Sequence, residues 1–154
     1  MKVLAVASEI YPLIKTGGLA DVAGALPAAL TSHAIDVTTL VPGYPAVMAA
    51  LTKTTSLHRY DALFGGPATV VAGKVGDLSL LVLDAPHLFD RPGNPYLGPD
   101  GKDWPNNARR FAALSRVAAD AGLGRFGNPP FDLLHLHDWQ AALAAVYLRV
   151  EGGP

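Results

Sequence analysis

A lysine and two glycines lie near the start of the chain, between an apolar run and a helical pattern. The segment is Lys15-Thr16-Gly17-Gly18. Glycine lets backbone approach a ligand, and the first amides of a helix lack partners within the helix and lie at its positive end. A lysine adds a mobile positive charge. The pattern indicates an anion site; a plain turn beside a solvated lysine is the alternative that such short motifs leave open.

Two histidines and an aspartate form a second group, in the segment His135-Leu136-His137-Asp138. Alternate residues share one face of a strand, so His135 and His137 should point the same way. A hydrolytic metal centre needs about three protein ligands and an open position, and His33, His58 and His87 show no comparable grouping. We therefore predict no metal and interpret His135 as a hydrogen-bonded core histidine. A metal hydrolase built on this segment is the alternative.

The position of His137-Asp138-Trp139-Gln140 is informative, because these residues follow a predicted strand where it enters a helix. Ligands of open α/β sheets bind outside the carboxyl ends of the strands. Asp138 also has the residue type of a helix cap. An indole and an amide suit sugar recognition, since the ring stacks on C–H faces and the amide bonds hydroxyls.

A loop with a stiffened backbone carries the third candidate, Tyr96, within Asp90-Arg91-Pro92-Gly93-Asn94-Pro95-Tyr96. Its tyrosine is suited to pack against a ligand, and a plain surface loop is the alternative. The string Gly122-Leu123-Gly124-Arg125-Phe126-Gly127 matches the dinucleotide-binding fingerprint. It follows a predicted helix and precedes Asn128-Pro129-Pro130 and a strand, whereas the fingerprint needs a strand before it and a helix after it. We interpret it as a helix end and connector.

Composition limits the class of protein. The 154 residues suit one domain, half of them are apolar, and the formal net charge is -1. This balance, with no long run of like charge, predicts neither a nucleic-acid nor a membrane partner. The absence of cysteine excludes disulfides, thiolate metal sites and a cysteine nucleophile. No stretch reaches the roughly 18 apolar residues of a membrane span, and we expect a soluble, cytoplasmic protein.

Apolar runs and helical stripes alternate along the chain, which is typical of the α/β class. A βαβ unit is expected first, then a hairpin, a long loop over Pro86 to Asp103, a helix, a strand and a last helix. The sheet should be Rossmann-like and mostly parallel, with the hairpin as an antiparallel excursion. The expected strands are Lys2–Ala7, Ile35–Val41, Ser56–Phe64, Ala68–Val75, Leu78–Asp84 and Phe131–Leu136; the helices are Gly18–Thr31, kinked or divided at Pro27, Asn106–Ala121 and Trp139–Val150.

Five ordered blocks resemble the bacterial glycogen synthase and plant starch synthase family. They span nearly the whole chain, which makes chance similarity implausible. The blocks are Ser8-Glu9-Ile10-Tyr11-Pro12-Leu13-Ile14-Lys15-Thr16-Gly17-Gly18-Leu19-Ala20-Asp21-Val22, Leu40-Val41-Pro42-Gly43-Tyr44-Pro45, Asp90-Arg91-Pro92-Gly93-Asn94-Pro95-Tyr96, Asp103-Trp104-Pro105-Asn106-Asn107-Ala108-Arg109-Arg110-Phe111 and His135-Leu136-His137-Asp138-Trp139-Gln140.

The resemblance implies a GT-B glycosyltransferase, in which two Rossmann-like domains face each other across a cleft. Such enzymes transfer glucose from the co-substrate ADP-glucose to the non-reducing end of an α-1,4-glucan, glycogen or a maltooligosaccharide, with retention of configuration and without a metal or other cofactor. Lys15 would contact the donor phosphates, and Gly17 and Gly18 would bring backbone amides to them. The other substrate-binding residues implied are Glu9, Asp21, Tyr96, His137, Asp138, Trp139 and Gln140, with Asp138 the one catalytic candidate.

The chain departs from the family's pattern at its end. It stops at Glu151-Gly152-Gly153-Pro154, before the family's next strand, its histidine-bearing active-site loop and its C-terminal nucleotide-binding domain. Residues 1–154 are therefore expected to form a truncated N-terminal domain that is inactive alone. Its incomplete sheet should expose an edge that aggregates or binds a partner. A non-catalytic glucan- or nucleotide-binding half-domain is the alternative function.

Overall fold

The computed structural model describes residues 1–127 and 130–152. Asn128 and Pro129 of the expected connector, and Gly153 and Pro154, lie outside the described residues. The described ranges contain six strands and five helices. In chain order they are β1 (Lys2–Val6), α1 (Gly18–Thr31), β2 (Asp36–Pro42), α2 (Pro45–Ala50), β3 (Thr52–Leu63), β4 (Gly66–Val75), β5 (Leu78–Asp84), α3 (Pro86–Phe89), α4 (Asn107–Gly122), β6 (Leu133–Leu136) and α5 (Asp138–Val150).

All six strands form one mixed sheet in the order β3-β4-β5-β2-β1-β6. Strands β5, β2, β1 and β6 run parallel to one another. Strand β4 is antiparallel to β5, as the predicted hairpin requires, and it is also antiparallel to β3. The tight turn between β4 and β5 is present, and Gly76 there has φ of 56°, a value that glycine adopts without steric cost. The predicted α/β class and mostly parallel sheet are confirmed.

Strand β1 is central because both of its faces are covered. Leu4 and Val6 belong to the larger core, together with residues of α4 and α5. Val3 and Ala5 point to the opposite face and pack with Leu30 of α1, Val37 of β2 and the intervening Ile35. A run of consecutive apolar residues is what a strand buried on both faces requires.

Several local elements differ from the sequence expectations. A short helix, α2, begins at Pro45 in a segment expected to be loop, and α3 begins at Pro86. Proline is favoured in the first turn of a helix because it gives up no intrahelical hydrogen bond there. Of the two outcomes expected at Pro27, a kink or a division of α1, the division is wrong, since the helix runs as one element from Gly18 to Thr31. Strand β3 begins at Thr52, four positions earlier than expected.

The dinucleotide-like string is a helix end, as predicted. Helix α4 ends at Gly122 and is followed by turns. Gly124 and Gly127 have φ of 69° and 74°, in the left-handed region where glycine lacks the penalty of a Cβ atom. The next described strand is β6, so no helix follows the string to receive a phosphate.

Strand β6 lies at one end of the sheet and pairs with β1 alone within the described ranges. The expected exposed edge is thus present, while its self-association remains a prediction. Helix α5 also leaves apolar side chains exposed, at Leu143, Val146 and Val150. In residues 1–127 and 130–152, no helix has both the length and the apolarity needed to cross a membrane.

The buried carboxylate of Asp120, in α4, links β3 to the residue that follows α5. The Tyr60 hydroxyl donates to Asp120 at 2.6 Å, and the guanidinium groups of Arg116 and Arg125 donate to it at 2.8 and 2.6 Å. Both arginines also pair with Glu151. Burial by itself raises the pKa of Asp120, but these hydrogen bonds outweigh it and hold the pKa below the usual value. The cluster therefore stabilises the fold most when Asp120 is ionised.

Replacing Asp120 by asparagine should lower the free energy of unfolding by about 1–3 kcal/mol, as expected for lost hydrogen bonds to a charged group. Because the folded pKa is depressed, this contribution is complete above the ordinary aspartate pKa of 3.8 and is lost as the pH falls through the folded pKa. Urea unfolding at about pH 7 and about pH 2 measures both effects. The wild type should lose more stability on acidification than Asp120→Asn.

The matched control is Asp61→Asn, at an exposed position of β3. This change should leave both the stability at neutral pH and its acid dependence nearly unchanged. Equal acid dependence in the wild type and Asp120→Asn would contradict the role of the cluster.

Candidate functional site

The candidate residues meet at the carboxyl ends of β1 and β6. The chain runs from β1 through α1 to β2 on one side and later places β6 on the other side of β1. Val6 and Leu136 are register partners, so the segments that follow them leave the sheet at the same edge. A change of direction of this kind opens a crevice at the carboxyl edge of a parallel sheet. The predicted placement of His137-Asp138-Trp139-Gln140 at such an edge is confirmed.

The carboxylate of Glu9 organises the segment that leads into α1. Glu9 is 2% exposed, and it accepts a hydrogen bond from the Thr16 backbone N–H. The Thr16 hydroxyl donates to it at 2.7 Å, and the Gly17 N–H approaches at 3.4 Å. Glu9 thus fixes the backbone that carries Lys15, Gly17 and Gly18. Whether it also contacts substrate stays a prediction.

Tyr96 reaches the same carboxylate from a distant loop. Its hydroxyl donates to Glu9 Oε1 at 2.5 Å and lies 2.7 Å from Ser8 Oγ. Because the single phenolic proton goes to Glu9, Ser8 donates to Tyr96. Burial, followed by the hydrogen bond to Glu9, raises the pKa of Tyr96, so the phenol stays protonated as this arrangement requires. The Tyr96 loop and the Lys15 loop are therefore joined through one carboxylate.

The Tyr96 loop is itself ordered by side-chain amides. Asn94 Oδ1 accepts from the backbone N–H groups of Tyr96 and Leu97 at 2.7 and 3.1 Å, an Asx turn. The Asn107 amide donates to the Tyr96 carbonyl at 2.9 Å. Of the two outcomes expected for a long loop, function or disorder, the structure shows an ordered segment.

The start of α1 is open on its outer side. A Cβ atom built on Gly17 or Gly18 would meet nothing within 4 Å, and no side chain caps the helix. Lys15 Nζ lies 2.6 Å from both carboxylate oxygens of Asp21, in the first turn, and both side chains are about half exposed. An ion pair this exposed contributes little stability. Lys15 thus lies three positions before the start of α1 and is held by a partner that an anion could replace.

Asp138 and Trp139 begin α5, directly after β6 and at the same edge of the sheet. Asp138 has φ of 63°, a conformation that costs free energy for any residue other than glycine and that concentrates at functional sites. Its carboxylate accepts from the Trp139 N–H at 2.6 Å. The N-cap position belongs to His137, so Asp138 binds the first turn from within the helix.

Trp139 is 54% exposed and its ring meets Phe111 edge-on at 5.2 Å. Phe111 in turn packs against Tyr96 at 5.8 Å. One buried phenylalanine therefore joins the two aromatic side chains that the sequence assigns to the substrate. The charge of Asp138 contributes to the raised pKa of Tyr96, which places these two groups close enough to interact.

Two buried polar groups remain without partners at this end of the sheet. His137 and Gln140 are buried, and within the described residues His137 Nε2 and Gln140 Oε1 make no hydrogen bond. Burial, and then the charge of His135, lowers the pKa of His137, so its ring is neutral at physiological pH. Unsatisfied buried polar atoms are costly unless a ligand or water completes them.

The interpretation of His135 as a core histidine is wrong. His135 is exposed, because β6 is at the sheet edge and α1, which covers that face, packs against β2. Its ring lies 4.1 Å from that of His137, which confirms that the two share a face. No group of three metal-ligating side chains occurs in the part of the chain that the structure describes.

Sequence reasoning gave no roles to Ser8, Thr16 and Phe111, which hold the named residues in place. The signal for Ser8 was its position two residues after the end of β1, beside Glu9. Phe111 was visible only as a core position on a helical stripe. Its role as the contact between the Tyr96 loop and Trp139 of α5 depends on the packing of α4 against the sheet.

The comparisons with known proteins agree on one family. The family model for the starch synthase catalytic domain matches residues 2–153. The glycogen synthase of Rhodopseudomonas palustris (strain BisB18) is 62% identical over 151 residues, covering 98% of this chain and 31% of that protein. The glycogen synthase of Acidiphilium cryptum (strain JF-5) is 59% identical over 152 residues, covering 99% of this chain and 32% of that protein.

A solved structure agrees with these relatives. The catalytic domain of starch synthase IV from Arabidopsis thaliana, bound to ADP and acarbose, superposes with a TM-score of 0.75 and 29% sequence identity. The match covers 96% of this chain and 30% of that one. This chain therefore spans about a third of the length of the curated relatives it matches.

Replacing Glu9 by glutamine should speed amide hydrogen exchange at Thr16 and Gly17 by about tenfold, because the charged acceptor is lost and an amide NH₂ faces a donor. Exchange measured residue by residue by NMR checks this. Tyr96→Phe is the control, since it removes the phenol and leaves both backbone bonds to Glu9. Equal exchange rates in the wild type and Glu9→Gln would contradict the assignment.

Proposed function

Because this chain belongs to the family of starch synthase catalytic domains, we propose that it forms one wall of the cleft of a retaining glucosyltransferase. The proposed reaction moves glucose from ADP-glucose to the non-reducing end of an α-1,4-glucan, glycogen or a maltooligosaccharide, without a metal ion. The observation that carries the proposal is the open start of α1, with Lys15 beside it, at the switch point of the sheet. Residues 1–154 would act as the N-terminal domain of a GT-B enzyme.

The donor diphosphate is assigned to Lys15, Gly17 and Gly18. Backbone amides at a helix start and a lysine stabilise negative charge, and this charge grows on the departing diphosphate as the glycosidic bond to it breaks. Lys15 would leave Asp21 for the phosphate, which costs little because the pair is exposed. Glu9 would position this loop from below through Thr16.

The sugar side is assigned to the other wall of the crevice. Trp139 presents an exposed indole suited to stack on C–H faces of a glucose unit. The unsatisfied atoms of His137 and Gln140 supply hydrogen-bonding capacity for hydroxyl groups. Asp138, held in a strained conformation beside them, is the catalytic candidate of this chain. The cytoplasmic location inferred from the sequence stays a prediction.

A non-catalytic glucan- or nucleotide-binding module is the second candidate. The exposed Trp139 would serve binding alone, and the matched region is about a third of each relative. Joined to the rest of a relative, a transferase segment would restore glucosyl transfer, whereas a binding module would only bind.

We expect no glucosyl transfer by the 154-residue chain alone, since orienting the donor needs groups from both sides of a cleft. Transfer should appear when the chain replaces the matched segment of the Rhodopseudomonas palustris glycogen synthase. Incorporation of radiolabelled glucose from ADP-glucose into glycogen measures both. Elongation by the isolated chain would overturn the first expectation, and a folded but inactive chimera would overturn the proposed transferase.

Trp139→Ala in the same chimera should weaken maltooligosaccharide binding by about tenfold, the value of one lost stacking contact of ~1.4 kcal/mol. Maltooligosaccharide binding by a folded, inactive chimera, lost on Trp139→Ala, would instead support the binding module.

ADP affinity tests the phosphate assignment separately. In the chimera, Lys15→Ala should weaken ADP binding at least tenfold, because a charge-assisted contact is lost. Gly18→Ala should also weaken it, since the methyl group occupies the space left for the ligand. Calorimetric titration with ADP measures both variants.

Gly18→Ala also controls for an effect on folding. A Cβ on Gly18 meets no other atom, and alanine is the better helix former, so Gly18→Ala should not lower the free energy of unfolding. Unchanged ADP affinity in both variants, with the fold intact, would show that the diphosphate does not bind at the start of α1.

A further inference from the structure

A cavity lies behind the Tyr96 loop, and its lining contains none of the residues assigned to the donor or the sugar. Its volume is about 140 Å³, where a single water needs about 10–15 Å³. Four segments surround it: the turn at Ile14, the start of α2, the loop that follows α3, and helix α4. Its lining includes Tyr44, Arg91, Pro95 and Arg110.

Arg110 is 1% exposed and has only neutral partners. Its Nε donates to the Leu88 carbonyl at 2.7 Å, and Nη1 donates to the Pro95 carbonyl at 2.6 Å and to Asn107 Oδ1 at 2.8 Å. It forms no ion pair with any carboxylate of the described residues. A buried charge without a counter-charge is costly.

Arg91 brings a second guanidinium to the same cavity. It donates to Asn106 Oδ1 at 2.9 Å and stacks 4.6 Å above the ring of Trp104. In the described ranges it too lacks a carboxylate partner. Burial first, and the charge of Arg91 in addition, lower the pKa of Arg110. The two cations therefore repel each other, and an anion between them would relieve both costs.

Tyr44 contributes a neutral donor. It is 4% exposed, and its hydroxyl has no hydrogen-bond partner among residues 1–127 and 130–152. Burial raises its pKa, so the phenol keeps its proton. Two guanidinium groups provide only donors, and the Tyr44 hydroxyl adds an unused proton, a combination that suits an oxyanion.

We infer that this cavity, lined by Tyr44, Arg91 and Arg110, binds a small oxyanion: free phosphate or the phosphate group of a monoester. The site is separate from the donor residues proposed above, and its existence does not depend on the proposed transferase. Its occupancy would act on the crevice through one contact. Arg110 holds the carbonyl of Pro95, and the next residue, Tyr96, donates to Glu9. An anion on Arg110 would therefore stabilise the Tyr96 loop.

The test is urea unfolding of the 154-residue chain over a series of potassium phosphate concentrations, with potassium chloride added to hold the ionic strength constant. A ligand that binds the folded state alone raises the unfolding midpoint in a saturable way. We expect such a rise in the wild type. Arg91→Gln should weaken the fitted phosphate affinity at least tenfold, Arg91→Lys less, and Tyr44→Phe about threefold.

Lys15→Ala is the control for binding at the start of α1, and it should retain the full phosphate effect. Methyl phosphate in place of phosphate separates the two sources: an equal rise indicates a site open to monoesters, and a rise with phosphate alone indicates a site for the free ion. The inference is overturned by the absence of a rise, by an equal rise in all variants, or by a rise that Lys15→Ala abolishes. None of these outcomes predicts the result of the ADP titrations, so this inference and the phosphate assignment at α1 can fail separately.

Discussion

The carboxylate of Glu9 is the group on which the candidate site depends. It sits just beyond the central strand, buried from solvent, where an ionised group is tolerated only if hydrogen bonds replace its hydration. Those bonds come from Thr16 and Gly17 on one side and from Tyr96 on the other. Satisfying one buried charge therefore fixes two segments that are distant along the chain.

The sheet supplies the second constraint. Placing β2 and β6 on opposite sides of β1 forces the segments after β1 and β6 to diverge at one edge. The polar residues of both segments then face a common space. This is the arrangement in which α/β proteins bind ligands, and the relatives share it as starch synthase catalytic domains. Phe111, buried beneath the aromatic side chains, transmits the packing of α4 to Trp139.

Much of the fold was predictable because its signals are local. The apolar run of β1, the helical stripe of α1 and the Gly76 turn each depend on neighbouring residues. Helix α2 was not predicted because Pro45 was interpreted as the sign of a loop, although proline is also common in the first turn of a helix. His135 was misjudged because its burial depends on whether a helix covers the end of the sheet, which no local pattern records. The continuity of α1 through Pro27 likewise depends on tertiary packing.

By itself, the sequence determined the α/β class, the order of elements, the family resemblance and the residue types available for phosphate and sugar. These follow from periodicity and from ordered motifs. Only the tertiary structure decided that Glu9 holds both loops, that Lys15 pairs with Asp21, and that Arg110 is buried beside a cavity with neutral partners. The contacts of Glu9 and Arg110 join residues distant along the chain, and they form because each buried polar group must find its partners in the packed fold rather than in its own segment.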